Sequence, residues 1–199
     1  MSIARRLITS AGSGDILPFK FELTVGSGQL YELPIVTVGG TQPNIQISWG
    51  DGSTSPVIVD VSDIERFHTY SSAGTYIVSV IGSLPGFRVD NSSYKLLYTN
   101  IIDWGNVGLR SVNFYGCANI TTIPGGADGL SRVTQFNNTF RSTSITTIPS
   151  DLFSSAISAE SFVDTFSFTR ITSIPNNLFD RCTNATSFSS TFNACTSLI

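Results

Sequence analysis

The sequence contains few charged residues and little positive charge. Charged residues make up 13% of the 199 residues, and the formal net charge is −3. Lysine occurs only as Lys20 and Lys95, and the sequence has no basic block. A surface that follows a phosphate backbone needs clustered lysine and arginine, so we expect no nucleic-acid partner. No apolar run approaches the ~20 residues that a membrane-spanning helix requires, so we expect no membrane insertion.

The N-terminus lacks the apolar segment of a signal peptide. Only two apolar residues, Leu7 and Ile8, follow Arg5 and Arg6 before the sequence becomes polar. A signal peptide carries about 7–15 apolar residues at this place. We therefore expect that the chain is not exported by that route, unless the sequence lacks its leader. Residues 1–15 are predicted to form an N-terminal arm, and docking of this arm to a larger assembly is a hypothesis.

Cysteine is also scarce, and several motifs of catalytic sites are absent. Cys117, Cys182 and Cys195 are an odd number of cysteines without the spacing of metal ligands. We expect them to be buried as small apolar side chains in a protein made in a reducing compartment. The sequence has no P-loop, no Cys-x-x-Cys pair and no Gly-x-Ser-x-Gly motif.

The single histidine, His68, and the nearby Asp51 are the first candidates for a site. One histidine cannot build a histidine-rich metal site, and no catalytic serine or cysteine motif accompanies it. We therefore interpret His68 as packed beside the Trp49 side chain. Asp51 could ligate calcium together with Asp60 and Asp63. The alternative, which is sufficient, is that Asp51 and the following glycine form a tight hairpin turn.

The C-terminal half carries a repeat. Three segments share the pattern Phe-x-x-Thr-Phe and recur 26 residues apart, starting at Phe136, Phe162 and Phe188. A second pattern, Ile-Thr-Thr-Ile-Pro or Ile-Thr-Ser-Ile-Pro, starts at Ile120, Ile145 and Ile171. A fixed period in this range is typical of a solenoid, in which each unit buries its apolar edge against the next. The sequence thus predicts a β-solenoid with coils of ~26 residues.

The repeated phenylalanines are predicted to form buried ladders. Phenylalanine has no polar group and recurs here in register, which favours the core over an exposed stripe that stacks sugars or bases. About one-third of the residues from 120 onward are serine or threonine, and those between the apolar positions would form the exposed surface. Such a surface could contact glycans or protein, or it could be solvated spacer surface.

Four carboxylates are scattered through the repeats: Asp151, Glu160, Asp164 and Asp180. Enzymes that cut glycans use paired carboxylates. Asp151 and Asp180 are one coil plus three residues apart, so they need not align, and we interpret all four as solvated charges. The sequence therefore predicts no catalytic, cofactor-binding or metal-binding residues, and no enzyme.

The N-terminal half is predicted to be a β-sandwich. Short runs rich in valine, isoleucine and aromatic residues alternate with glycine-containing turns, as is typical of that fold. The predicted strands are 19–25, 30–38, 45–49, 57–61 and 75–81.

Two motifs in this half resemble a known family. Ile47-Ser-Trp49-Gly-Asp51-Gly-Ser53 precedes Phe67-His68-Thr-Tyr70, which leads into Gly74-Thr-Tyr76-Ile-Val78. Together they resemble the PKD-type immunoglobulin-like domain over roughly residues 19–82. The resemblance implies a spacer or binding module of extracellular type with no catalytic activity.

The C-terminal half resembles the BspA-type leucine-rich repeats of surface proteins. The resemblance is carried by 178–198, which reads Leu-Phe-Asp-Arg-Cys-Thr-Asn-Ala-Thr-Ser-Phe and continues to Phe192 and Leu198. Residues 87–105 resemble the segment that joins a PKD-like domain to such repeats in that family. Two departures exist: glycines at 125–129 replace the Leu-Phe element, and cysteine is missing near residues 142 and 169.

These observations divide the chain into an arm (1–15), a PKD-like sandwich (16–84), a connector that caps the repeats (85–110) and leucine-rich repeats (111–199). We expect 16–84 to fold alone and 111–199 not to. The predicted function is a non-enzymatic structural or adhesion protein, namely a bacteriophage tail fibre, head fibre or decoration protein on the virion surface. The alternative is a secreted BspA-like adhesin on a bacterial cell surface, and a third hypothesis is a glycan-degrading enzyme.

The expected partners are other virion subunits or copies of the chain itself, and a glycan or protein of the host surface. The sequence stops where a further Ile-x-x-Ile-Pro segment would begin. An open repeat edge invites pairing, so we expect an oligomer or association through residues 185–199. Either more repeats follow in the natural gene, or another subunit covers this end.

Overall fold

The computed structural model describes residues 15–90, 92–126 and 128–199. The predicted arm, with Arg5 and Arg6, lies outside the described residues apart from Asp15. Within these ranges the protein is mainly β, and the helical segments are single short 3-10 turns. No helix in the described part of the chain is both long and apolar enough to span a bilayer.

The described residues form nine strands in three sheets. The strands are β1 (Phe19–Val25), β2 (Gln29–Glu32), β3 (Ile35–Val36), β4 (Asn44–Ser48), β5 (Phe67–Tyr70), β6 (Gly74–Ser83), β7 (Gly86–Arg88), β8 (Tyr98–Asp103) and β9 (Ser111–Asn113). One sheet has the order β4-β6-β1-β8, a second pairs β2 with β5, and a third has the order β3-β7-β9. Several sheets of this kind are compatible with a β-sandwich.

Strand β1 shows why these segments form sheets. Phe19, Phe21 and Leu23 are fully buried, whereas the alternate residues Lys20 and Glu22 are only partly covered. This period of two directs one set of side chains into the core. Burying each large apolar side chain contributes roughly 1.5–3 kcal/mol.

The predicted strand boundaries are partly confirmed. The strand at 19–25 is present as predicted, whereas the strand predicted at 30–38 is divided into β2 and β3 around Pro34, which has no N–H to donate. The prediction of a strand at 57–61 is wrong. Only Ile58 pairs there, with Ile45, before a turn begins at Asp60.

The connector is part of the sheets. Strand β8 pairs antiparallel with β1, and β7 lies between β3 and β9, with β9 parallel to it. Trp104 is fully buried, 6.3 Å from the Phe19 ring and 6.2 Å from the Phe140 ring. Residues on both sides of the predicted boundary at 84/85 therefore share one core, which changes our expectation that 16–84 folds alone.

Residues 111–199 are mostly turns, and their backbone bonds follow the sequence period. Between the first two Phe-x-x-Thr-Phe segments, Phe136 N donates a hydrogen bond to Ser161 O and Glu160 N donates to Thr134 O, both at 2.8 Å. Between the second and third segments, Phe162 N donates to Ser187 O and Thr186 N donates to Glu160 O, also at 2.8 Å. Each segment thus lies against the segment about 26 residues further along the chain.

The repeated phenylalanines stack inside these segments. The rings of Phe136 and Phe162 are 5.2 Å apart and nearly parallel, as are those of Phe162 and Phe188 at 5.3 Å. Phe140 and Phe166 form a second stack at 5.4 Å. The inner members are fully buried, which confirms the core interpretation for them, whereas Phe188 is 44% exposed. Association of the 199-residue chain through this last segment stays a prediction.

Several threonines lie inside the repeats, contrary to the expectation that these hydroxyls form the surface. The Thr165 hydroxyl donates to Phe136 O and the Thr191 hydroxyl donates to Phe162 O, both at 2.9 Å. Buried hydroxyls are tolerated because each has such an acceptor. Thr146 and Thr147, by contrast, are exposed as predicted.

The cysteines are free and buried, as predicted. Burial raises the pKa of Cys117 to about 12 and that of Cys182 to about 11. Cys195 Sγ lies 3.1 Å from Phe166 O and 3.3 Å from the hydroxyl of Thr169. Thr169 precedes Cys195 by 26 residues. Threonine thus occupies, at position 169, the place in the repeat where the sequence analysis noted that cysteine is missing.

Candidate binding groove

His68 and Asp51, which the sequence analysis considered as candidates and interpreted as a packed histidine and a turn residue, lie together on the N-terminal half. The His68 ring stacks on Trp49 with 4.9 Å between centroids and 8° between planes, and the Tyr70 ring stands perpendicular to it at 4.6 Å. This agrees with the packed interpretation of His68. His68 Nε2 also lies 2.7 Å from Asp51 Oδ2, a pairing that the sequence analysis missed. The Asp-Gly turn presents Asp51 toward the strand that carries His68.

Asp51 is held in its ionised form. Partial burial alone would raise its pKa, but hydrogen bonds from the Ser53 hydroxyl and amide, together with His68, outweigh burial and lower the pKa of Asp51 to about 2. The unfolded chain would have an aspartate pKa near 3.9. The carboxylate therefore stabilises the fold above about pH 4, and this contribution is lost as the pH falls toward 2.

Asp51→Asn should flatten the acid side of the stability profile. After allowance for the solvent exposure of Asp51, we expect a loss of about 1 kcal/mol at pH 7 and a smaller decrease in melting temperature between pH 5 and pH 2 than in the wild type. Ser53→Ala should change the profile in the same direction by a smaller amount. Thermal melts over this pH range measure both, and profiles parallel to the wild type would contradict the assignment.

The calcium alternative gains no support from the other two aspartates. Asp60 accepts hydrogen bonds from the amide and hydroxyl of Ser62, and Asp63 caps a 3-10 turn through the amide of Glu65. Each carboxylate serves its own turn. A search of the described residues finds no group of three or more histidine, cysteine, aspartate or glutamate side chains that could hold a metal.

The four carboxylates of the repeats have different surroundings. Glu160 accepts a hydrogen bond from Gln135 at 3.1 Å, and Asp164 forms an ion pair with Arg141 at 3.3 Å. Asp151 fills the space beside Gly125, which leaves no room for a side chain there. Asp180 is exposed. Within the described ranges no hydrogen bond joins two of these four carboxylates.

A groove of about 540 Å³ lies where β7 and β9 meet the first repeats. The sequence analysis did not identify it, because its lining comes from three distant parts of the chain. Its polar, charged and aromatic lining includes Arg88, Asp90, Asn113, Tyr115, Gln135, Asn137, Asn138 and Arg141.

Amide side chains in the groove hold one another in place. Asn137 donates from Nδ2 to Gln135 Oε1 at 3.2 Å, and its Oδ1 accepts from the Ser161 hydroxyl at 2.6 Å. Gln135 Nε2 donates to Glu160, and Asn113 Nδ2 donates to Asn137 O at 3.2 Å. Such mutual bonds fix the orientation of each amide before any ligand arrives.

The two arginines of the groove are paired with carboxylates of the chain. Arg88 binds Asp90 through Nη2 at 2.8 Å, and this hydrogen bond raises the pKa of Arg88. Arg141 contacts Asp164 at 3.3 Å. Each arginine thus has a carboxylate partner, and the two pairs together carry no net charge.

Two of the lining residues, Tyr115 and Arg141, contact a further cation and a further aromatic ring beside the groove. Lys95 Nζ lies 5.2 Å from the Tyr115 ring centroid, and Arg141 Cζ lies 5.6 Å from the same centroid and 5.1 Å from that of Phe168. Tyr115 is 38% exposed and Phe168 is 50% exposed. The Tyr115 hydroxyl has no hydrogen bond to the described parts of the protein.

Phe168 adopts a backbone conformation that its side chain disfavours. Its φ is +59°, in the left-handed region, where a bulky residue is strained. The corresponding positions in the other repeats are Gly116, Ser142 and Ala194, also with positive φ. All four equivalent positions therefore adopt the left-handed conformation, and among them only position 168 carries a large aromatic side chain. Strained residues of this kind cluster at functional sites.

Two comparisons with known proteins gave no match. A scan against protein-family models gives no match to this chain, and a search of the curated proteins finds no similar protein.

Proposed function

We propose that the chain is a non-enzymatic recognition module in which a PKD-like sandwich carries a leucine-rich β-solenoid. The observation that carries this proposal is the register of the repeats. Backbone hydrogen bonds join segments about 26 residues apart, and phenylalanines stack between the same segments. Together they would hold the surface of the repeats in one regular conformation. Surfaces of this type serve extended binding.

The N-terminal motifs support the finer part of the proposal. The residues that carry the PKD resemblance contact one another: Trp49 stacks on His68, Asp51 pairs with His68, and Tyr70 donates from its hydroxyl to Trp49 O at 3.0 Å. A short motif whose members meet in space is a stronger argument than the motif alone.

The proposed setting is a bacteriophage virion, on which the chain would serve as a fibre or decoration protein and bind other virion subunits. Cys117, Cys182 and Cys195 are free and buried, which suits folding in a reducing cytoplasm, where virion proteins are assembled. The alternative is a secreted bacterial adhesin, which the BspA-type resemblance favours.

Immunogold labelling of purified virions tests this setting. An antibody against the chain should label intact phage particles at a fixed place on the head or tail. Label found only on bacterial cell walls would favour the adhesin and overturn the virion proposal.

A separate assay tests the non-enzymatic part. The chain is incubated with bacterial surface polysaccharides, and the products are separated by size. We expect binding without released oligosaccharides, and release that scales with protein concentration would show a glycan-degrading enzyme instead.

A further inference from the structure

We propose that the groove binds an uncharged oligosaccharide, whose hydroxyls meet the amides and the Tyr115 hydroxyl while a sugar ring rests against Phe168. This inference rests on the proposed function and names its ligand class. It assigns a binding site to residues that no motif identified.

The hydrogen-bonding groups of the groove suit vicinal hydroxyls. A side-chain amide has two N–H donors and an acceptor. Asn113, Gln135 and Asn137 each use one N–H within the protein, which leaves a second donor on each without a partner among the described residues. The Tyr115 hydroxyl adds a group that can donate or accept. Fixed hydrogen-bond donors and acceptors match a sugar, because every sugar hydroxyl can both donate and accept a hydrogen bond.

The pairing of the two groove arginines favours a neutral ligand. Arg88 and Arg141 already face Asp90 and Asp164, so an anionic sugar would have to compete with a carboxylate at each arginine. An arginine cluster that captures anions would leave its guanidinium groups unpaired instead.

The shape favours a glycan over a protein partner. The groove is a concave space of about 540 Å³, within the range of small-ligand sites, and its lining is mainly polar. A stable protein interface buries roughly 800 Å² on each partner around an apolar centre. Phe168 supplies the apolar contact that a sugar ring needs, because half of its surface is exposed beside Arg141.

The test uses the full chain and five probes: maltohexaose, cellohexaose, chitohexaose, xylohexaose and, as the acidic member, trigalacturonic acid. Calorimetry measures the Kd of each. Phe168→Gly removes the ring but suits the positive φ, so it should keep or raise the melting temperature while weakening binding about three- to tenfold. Tyr115→Phe should weaken binding by a similar factor, because only an unpaired hydroxyl is lost.

Ala194→Gly is the matched control, since its φ of +55° relieves the same backbone strain without removing a ring. It should leave every Kd unchanged. If Ala194→Gly weakens binding as much as Phe168→Gly, the effect comes from the turn and the proposal is wrong. Preference for trigalacturonic acid over all four neutral probes would also overturn it.

Labelling of bacterial strains with the fluorescent chain separates this inference from the proposed function. Labelling that periodate abolishes and that both variants weaken supports the groove, even if none of the four neutral probes binds. Labelling that survives periodate and is lost after protease keeps the recognition function but overturns the glycan. Absence of labelling together with absence of probe binding contradicts both.

Discussion

Phe166→Ala should lower the free energy of unfolding by about 3–5 kcal/mol, which is a large part of the 5–15 kcal/mol that stabilises a typical domain. Phe166 is fully buried, and its ring lies 5.4 Å from Phe140, 5.6 Å from Phe192 and 6.1 Å from Phe153. Alanine would leave a cavity that the stacked rings on both sides cannot fill. Urea denaturation followed by fluorescence and circular dichroism measures the change.

Phe188→Ala is the matched control for this substitution. Phe188 is 44% exposed in the last repeat, so its loss should cost clearly less than that of Phe166. A Phe166→Ala protein that melts like the wild type but loses ligand binding would contradict the core assignment. It would show an exposed aromatic stripe instead.

A fragment that ends at residue 84 should not fold. It lacks Phe87, Tyr98, Ile101 and Trp104, all of which are buried in the core of the full chain. At roughly 1.5–3 kcal/mol for each large apolar side chain, their loss exceeds about 6 kcal/mol, which is comparable to the whole stability of a small domain. Removing β8 would also leave one edge of β1 unpaired. Circular dichroism of residues 15–84 should show no cooperative thermal transition.

The fragment 15–104 provides the comparison, because it restores β7, β8 and Trp104. We expect it to regain a cooperative transition at a lower temperature than that of the full chain, in which Phe114 and Phe140 pack against Trp104. A cooperative melt of 15–84 equal to that of 15–104 would show that the sandwich is complete without the connector.

The sequence predicted the features that depend on local pattern or on the repeat period. Strand β1 could be located because Phe19, Phe21 and Leu23 alternate with polar residues. The stacking of Phe136 on Phe162 could be predicted because a fixed spacing places equivalent residues over one another. The mainly β character follows from such local signals.

The remaining features depend on contacts between distant segments. The apolar character of Tyr98 and Ile101 does not say which sheet edge β8 joins, and pairing with β1 is decided by the whole core. Thr165 appears polar in the sequence, yet its hydroxyl is buried because Phe136 O lies within reach. The groove needs Arg88, Tyr115 and Asn137 to converge, and no single segment contains all three.

The left-handed turns have a consequence for how the length of this protein can change. Positive φ recurs at Asn138, Asp164 and Ser190 as well as at the positions equivalent to Phe168. If a complete unit of 26 residues is inserted or deleted, each residue with positive φ again occupies a position where the backbone is left-handed. A one-residue change inside a Phe-x-x-Thr-Phe segment would instead move a β-branched neighbour such as Val163 or Thr165 onto those sites and break the stacking. The stretch between these segments can differ by one residue, since Ile120 and Ile145 are 25 residues apart. Duplication of a complete 26-residue unit therefore keeps the left-handed residues and the stacked rings in register.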